Sequence, residues 1–233
     1  MARKAPEVGV VIAGGGRGTR LGGRLPKQFL ALGGTPILVR TLRVFEGMRE
    51  VVAIVVVVPR RHIRRTKRII SRAHMVKVIA VVAGGAERQA SVRAGLGAFR
   101  TAPDIVLVHD AARPFVRREV VRRVIQKAGE CGGAVAAVRV TDTIKEVRRQ
   151  GSVVRTLARE QLWAVQTPQG FRFPILLRAH READRAGFAG TDEASLVERL
   201  GQPVSIVEGD ASNIKITTRL DLETAKMHAF RGC

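Results

Sequence analysis

The chain has little of several things that commonly mark a function. It has two cysteines, Cys131 and Cys233, no tyrosine and one tryptophan in 233 residues. Two cysteines offer no zinc spacing and suit a reducing compartment, so a cytoplasmic location is expected. Aromatic residues make up only 4% of the chain, which poorly supplies a surface for stacking bases. No apolar run approaches the roughly 18 residues a membrane span requires, and Met1–Pro6 lacks an apolar signal region. The five histidines show no metal spacing, and no Ser-His-Asp set is evident. Repeats, low-complexity segments and linkers are also missing. One domain spanning residues 1–233 is expected, of a length that can bury a sizeable core.

Acidic residues are scarce too: 20 against 41 lysines and arginines, for a net charge of +21. Such a charge is one signature of nucleic-acid binding. Here the arginines are spread along the chain, in pairs such as Arg60-Arg61, Arg64-Arg65, Arg117-Arg118 and Arg122-Arg123. Several stand at helical spacing beside apolar residues, as solvated faces do. No specific nucleic-acid partner is expected.

What the chain does have is glycine where a phosphate would need it. Val8–Ala13 is a short apolar run of buried-strand type, followed by Gly14, Gly15, Gly16 and Gly18, with Arg20 and Lys27 close behind. Glycines allow a sharp turn and a close backbone approach, and their N–H groups can face an anion. The dinucleotide fingerprint does not fit, because no frame supplies its three glycines. The Walker A pattern fails because Lys27 lies between Pro26 and Gln28. A strand, a glycine turn and two cations read as a polyphosphate site.

Further along, apolar runs at Val51–Val58, Lys77–Ala83, Ile105–His109, Ala134–Val138 and Val204–Val207 predict strands. Amphipathic stretches from about Thr35 to Phe45, Arg60 to Arg72, Ser91 to Phe99, Arg118 to Ala128, Pro174 to Ala186, Asp192 to Leu200 and Arg219 to Phe230 predict helices. Thr35, with Pro36 at the first helical position, and Thr218 are candidate caps. The alternation predicts an α/β fold, a doubly wound, mostly parallel, Rossmann-like sheet with ligands at the carboxyl ends of its strands. Residues 139–161 break the rhythm and read as a projecting β-arm.

The polar clusters follow predicted strands. Gly84-Gly85-Ala86-Glu87-Arg88 leads to Ser91, which could bond a base or merely cap a helix. In His109-Asp110-Ala111-Ala112-Arg113-Pro114, Asp110 could hold Mg²⁺ or a hydroxyl and Arg113 a phosphate, or the two could simply pair. His109 reads as support for the strand end. Asp142-Thr143-Ile144-Lys145 and Arg159 lie on the arm, and Trp163–Gly170 reads as extended because of Pro168. Thr191-Asp192-Glu193-Ala194-Ser195 reads as a helix start, and Asn213-Ile214-Lys215 as a short strand carrying a lysine.

Seven such motifs, in this order and over residues 8–230, resemble the 2-C-methyl-D-erythritol 4-phosphate cytidylyltransferases. The resemblance implies a nucleotidyltransferase fold, with transfer of a cytidylyl group from CTP to the polyol phosphate and release of pyrophosphate. It also implies a divalent metal, normally Mg²⁺, and a homodimer joined through the β-arm. Arg20 and Lys27 resemble the pair that stabilises the transition state, and Arg159 and Lys215 the pair that positions the acceptor. The nucleotide would lie against Ala13, Gly14, Gly15, Gly16, Gly18, Gly85, Ser91, Asp110 and Ala111, with Asp110 also at the metal. The acceptor would meet Arg113, Thr143, Arg159, Thr167, Thr191 and Lys215, with Thr143 and Arg159 serving the partner's site. Two departures are Ala13, where a proline is usual, and Ala86, where an acidic residue is common. Ribitol 5-phosphate as acceptor, another sugar-phosphate nucleotidyltransferase, and a basic nucleic-acid-binding protein are the competing readings.

Overall fold

The computed structural model describes residues 5–15 and 26–231. The elements in order are β1 (Val8–Ala13), β2 (Ala31–Leu32), β3 (Thr35–Pro36), α1 (Ile37–Glu46), β4 (Val51–Val58), α2 (Ile63–Arg72), β5 (Val78–Ala83), α3 (Arg88–Leu96) and β6 (Ile105–Asp110). Then follow α4 (Arg118–Cys131), β7 (Gly133–Arg139), β8 (Lys145–Val147), β9 (Val153–Thr156), β10 (Trp163–Arg172), α5 (Phe173–Arg185), α6 (Glu193–Arg199), β11 (Ser205–Glu208) and α7 (Arg219–Arg231).

Seven strands form one sheet in the order β11-β7-β10-β6-β1-β4-β5. All neighbours are parallel except β10, which runs antiparallel to both β6 and β7. The near-continuous valine of β1, β4 and β6 reflects burial on both faces. Val10, Ile12, Val56 and Leu107 face the layer of α1, α2 and α4. Val11, Val55, Val57, Val106 and Val108 face α3, α5 and α6. This is the expected doubly wound arrangement. A smaller cluster of Leu32, Ile37, Ile216, Ala225 and Ala229 seats α7 beside the β2–β3 turn.

The structure revises three local expectations. Residues 163–172 are not merely extended: they form a ten-residue strand in mid-sheet. Helix α3 begins at Arg88, so Ser91 is not its cap, and the Ser91 hydroxyl donates to Glu87 O at 2.9 Å inside the first turn. Thr35 lies in β3, and Pro36 stands at the N-cap of α1 without a capping side chain. Thr218 does cap α7: its hydroxyl accepts from Asp221 N at 3.1 Å, and Asp221 Oδ2 accepts from Thr218 N at 2.7 Å.

The predicted arm is present as β8 paired antiparallel with β9, outside the main sheet. Both strands are exposed throughout, including Val147, Val153 and Val154. Among the described residues, no helix is long and apolar enough to cross a membrane.

Candidate active site

The site is built where β1, β4, β5 and β6 end. Gly14 N donates to Val57 O at 2.8 Å and Gly84 N to Val58 O at 2.9 Å, so the two glycine turns flank the end of β4. A Cβ at Gly84 would lie 2.6 Å from the Ser91 hydroxyl, and one at Gly14 3.0 Å from Val57 O, so a side chain at either position would force its neighbours to shift. Gly15 and Gly85 border the same space, next to Ser91 and Ala90. Gln28 fixes the segment that carries Lys27: its side-chain amide donates to Gly14 O at 3.0 Å. Phe29 is buried below, with the Arg65 guanidinium 4.9 Å from its ring centre and His62 at 5.5 Å. Gly16, Gly18 and Arg20 lie outside the described residues.

Asp110 is the centre of the charged cluster. It is the last residue of β6 and only 7% exposed. Lys215 Nζ lies 2.8 Å from its Oδ2, Arg113 Nε 3.6 Å from the same oxygen, and Arg88 Nε 3.8 Å from Oδ1. Burial works to raise the Asp110 pKa, but Lys215, Arg88 and Arg113 together outweigh it and hold the carboxyl below its usual range. The sequence reading left an Asp110–Arg113 pair open; that pair exists within a larger cluster.

Two buried networks hold this cluster in place. In the first, His109 Nε2 lies 3.0 Å from Arg113 O, and its Nδ1 lies 3.0 Å from the Thr167 hydroxyl. Burial lowers the His109 pKa to about 4, so the ring is neutral at pH 7. A carbonyl can only accept, so Nε2 carries the proton and Thr167 donates to Nδ1. Thr167 in turn accepts from Asp110 N at 3.1 Å. Every proton has a partner, and the Thr167 hydroxyl expected to meet substrate is committed inside the protein. His109 is the strand-end support that the sequence suggested.

The second network spans a register shift in β10 between Val165 and Gln169, which turns Gln166 and Thr167 out of the ladder. Asn213 Nδ2 donates to Gln166 Oε1 at 3.2 Å and Thr167 O at 2.9 Å, while Asn213 O accepts from Arg113 at 2.6 Å. Ile216 N donates to Ala112 O at 3.0 Å. Lys215 therefore sits on an anchored but irregular segment, not on the short strand expected. Ala111 is buried, with its N–H on Ala13 O and its carbonyl accepting from Thr41.

Helix α6 closes the other side. Asp192 caps it through Ser195 N at 3.0 Å, and Gln169 Oε1 accepts from Glu193 N and Ala194 N. Thr191 lies exposed just before this cap. Glu193, 1% exposed, takes Arg88 Nη1 on both carboxylate oxygens at 2.6 and 2.5 Å. Arg88, Glu193, Gln28 and Gln169 were not singled out from the sequence. Arg88 and Glu193 lie within quoted motifs, but nothing in the sequence says that they meet. Thr143 and Arg159 stay on the arm, both exposed. Arg159 donates to Thr141 O at 2.9 Å and lies 3.8 Å from Glu160, rather than entering the Asp110 cluster.

A Gly-rich strand end, a buried carboxylate and converging cations suit a phosphorylated nucleotide. Comparison with known proteins decides the family. The pattern of the 2-C-methyl-D-erythritol 4-phosphate cytidylyltransferases matches residues 8–230. The chain belongs to this family. The cytidylyltransferase of Geobacillus thermodenitrificans is 48% identical over 213 residues, covering 91% of this chain and 92% of that one. That of Pelotomaculum thermopropionicum is 46% identical, covering 94% and 93%. The Thermus thermophilus cytidylyltransferase structure superposes with a TM-score of 0.77 at 38% identity, covering 96% and 99%. A 4-diphosphocytidyl-2C-methyl-D-erythritol synthase from Anaerococcus prevotii gives 0.86 at 26% identity, covering 97% of each chain. The chain is thus a nucleotidyltransferase that moves a cytidylyl group from CTP to 2-C-methyl-D-erythritol 4-phosphate, in non-mevalonate isoprenoid precursor synthesis. Neither ribitol phosphate nor a nucleic-acid-binding role is favoured by these relatives.

Proposed function

We propose the following division of labour for that transfer. The acceptor phosphate is largely a dianion at pH 7, since its second pKa is about 6, and needs no general base. One of its oxygens forms a bond to the α-phosphorus of CTP as the bond to the β-phosphate oxygen breaks, and pyrophosphate leaves with the electron pair. The obstacle is anion meeting anion, so cations and positioning supply the catalysis. Lys27, held by Gln28 on Gly14, and Arg20 stabilise the charge that develops. Gly14, Gly15, Gly16 and Gly18 wrap the triphosphate, and Gly85 and Ser91 border the base. Arg113, Thr191 and Lys215 serve the acceptor, while Thr167 acts at one remove, by orienting His109 and Asp110.

The observation that carries this reading is the Asp110–Lys215 pair at 2.8 Å, on the open side of a cluster otherwise locked by buried hydrogen bonds. Lys215 is 41% exposed and can turn to an incoming phosphate, while Arg88 and Arg113 continue to balance Asp110.

The residues fit a divalent cation held largely by CTP. Mg²⁺ commonly binds through one or two carboxylates plus substrate phosphates. Asp110 is a buried carboxylate kept ionised, and among the described residues no group of three acidic, His or Cys side chains forms a cage. When bound, Mg²⁺ neutralises phosphate charge and favours pyrophosphate as leaving group. The exposed arm, with Val147, Val153 and Val154 uncovered, fits a homodimer in which Thr143 and Arg159 reach the second subunit's site. A cytoplasmic location fits the two cysteines and the unpaired Cys131.

Pyrophosphate release tests the reading, crossing CTP and UTP with methylerythritol 4-phosphate and ribitol 5-phosphate, with and without Mg²⁺. Release only from CTP, methylerythritol phosphate and Mg²⁺ together is expected. Release with ribitol phosphate moves the acceptor, and undiminished release in a chelator removes the metal.

A further inference from the structure

The charged cluster contains an ion pair that the transfer reaction does not use. Arg88 and Glu193 are the first residues of α3 and α6, so the two helices start facing each other. Glu193 is buried and meets Arg88 through both oxygens of its carboxylate. Its position is set from behind: Gln169 on β10 accepts from Glu193 N and Ala194 N, and donates to Asp192 Oδ2 at 2.7 Å. Arg88 Nε, at the other end of the same guanidinium, stops 3.8 Å from Asp110 Oδ1. That is an ion-pair distance but not a hydrogen bond.

A buried guanidinium seeks a carboxylate, because leaving it unpaired is costly. Glu193 takes Arg88 by Nη1, away from Asp110. Asp110 Oδ2 already has Lys215 and Arg113, so Oδ1 is the oxygen with capacity for a ligand. Were Glu193 neutral, Arg88 would close the last part of the gap to Oδ1 and take that capacity.

We propose that Glu193 is a positioning residue for nucleotide binding: it holds Arg88 by Nη1, short of Asp110, and so keeps Asp110 Oδ1 open to the nucleotide. The inference rests on the proposed role of Asp110 at the nucleotide. It explains why a carboxylate is buried beside a site for polyanions, where a further negative charge would otherwise oppose binding.

The test is CTP binding by calorimetry, without acceptor and without turnover, for the wild type, Glu193→Gln and the double variant Arg88→Gln/Glu193→Gln. Thermal unfolding is followed in parallel. Glu193→Gln is expected to weaken CTP binding about tenfold or more, as loss of a charged contact would. The double variant, with no guanidinium left to fall on Asp110, is expected to bind within about threefold of wild type. Steady-state rates for Glu193→Gln should show a raised KM for CTP with kcat changed less than KM. Wild-type affinity in Glu193→Gln overturns the proposal. So does a double variant that binds as weakly as the single one, because Glu193 would then act only through stability. If Glu193→Gln alone does not fold, the double variant decides: binding near wild type supports the proposal and weak binding overturns it. Failure of the wild type to bind CTP would instead sink the role given to the site.

Discussion

Lys215 and Asp110 meet at 2.8 Å although one lies on an irregular segment after β11 and the other at the end of β6 in mid-sheet. Asn213 brings them together. Its side-chain amide is bonded to β10 and its carbonyl to Arg113, which fixes the strap two residues before Lys215.

Lys215→Met should lower kcat/KM about 10²-fold, the scale of losing one electrostatic contact in a catalytic site. It should also move the acid limb of the pH profile upward. Lys215 is the leading charge that holds Asp110 below its usual range, and without it burial pulls the pKa up. The carboxylate would then protonate at higher pH. Pyrophosphate release between pH 4.5 and 8 checks both effects.

Lys27→Ala and Arg20→Ala should each reduce turnover by about 10²-fold or more, with the fold intact. Gln28→Leu should act on Lys27 indirectly. It deletes the bond to Gly14 O and leaves a buried carbonyl short of a partner, at a cost of about 1–3 kcal/mol. A fall in turnover larger than the change in unfolding free energy explains would show that Gln28 orients the loop.

Stability should decline as the solution is acidified below about pH 6.5. His109 and His180 are both fully buried, and burial brings each to a pKa of about 4 from an ordinary 6.5. In the unfolded chain they take up protons first, so between these values falling pH favours unfolding, and below about 4 the loss levels off. The full effect for His109 is about 3 kcal/mol. Among the described residues, neither ring nitrogen of His180 has a hydrogen-bond partner. His180→Leu should therefore flatten the slope of urea-unfolding free energy against pH while costing little at pH 7.5.

The arm should couple two subunits. Lys27→Ala and Arg159→Ala proteins, each nearly inactive, should recover activity when mixed and allowed to exchange. If Arg159 serves the opposite site, each mixed dimer regains one intact site, for about a quarter of wild-type activity after random exchange. No recovery would place Arg159 in its own subunit's site. Val153→Glu should shift the sedimenting species from dimer to monomer.

Much of the fold was legible because valine-rich runs alternate with amphipathic helices, and both signals are local. Strand β10 was less so. Pro168 and the polar Gln166-Thr167 obscured a strand whose pairing with β6 and β7 is antiparallel. At the site, Asp110, Arg113, Lys215 and Ser91 stood out as motif residues. Glu193 did not, since its place at the start of α6 already explained an acidic residue.

The sequence alone carried the resemblance to the family, the glycine-rich turns and the placing of Asp110 and Arg113 around a strand end, because order and spacing along the chain carry those signals. Only the tertiary structure decided how these residues pair. It showed that Thr167 bonds His109 and Asp110, that Asp110 meets three cations, and that Glu193 pairs with Arg88. Apart from the Asp110–Arg113 pair, three residues apart, those relations join residues far apart in sequence, and burial favours them because it makes an unpaired polar group costly.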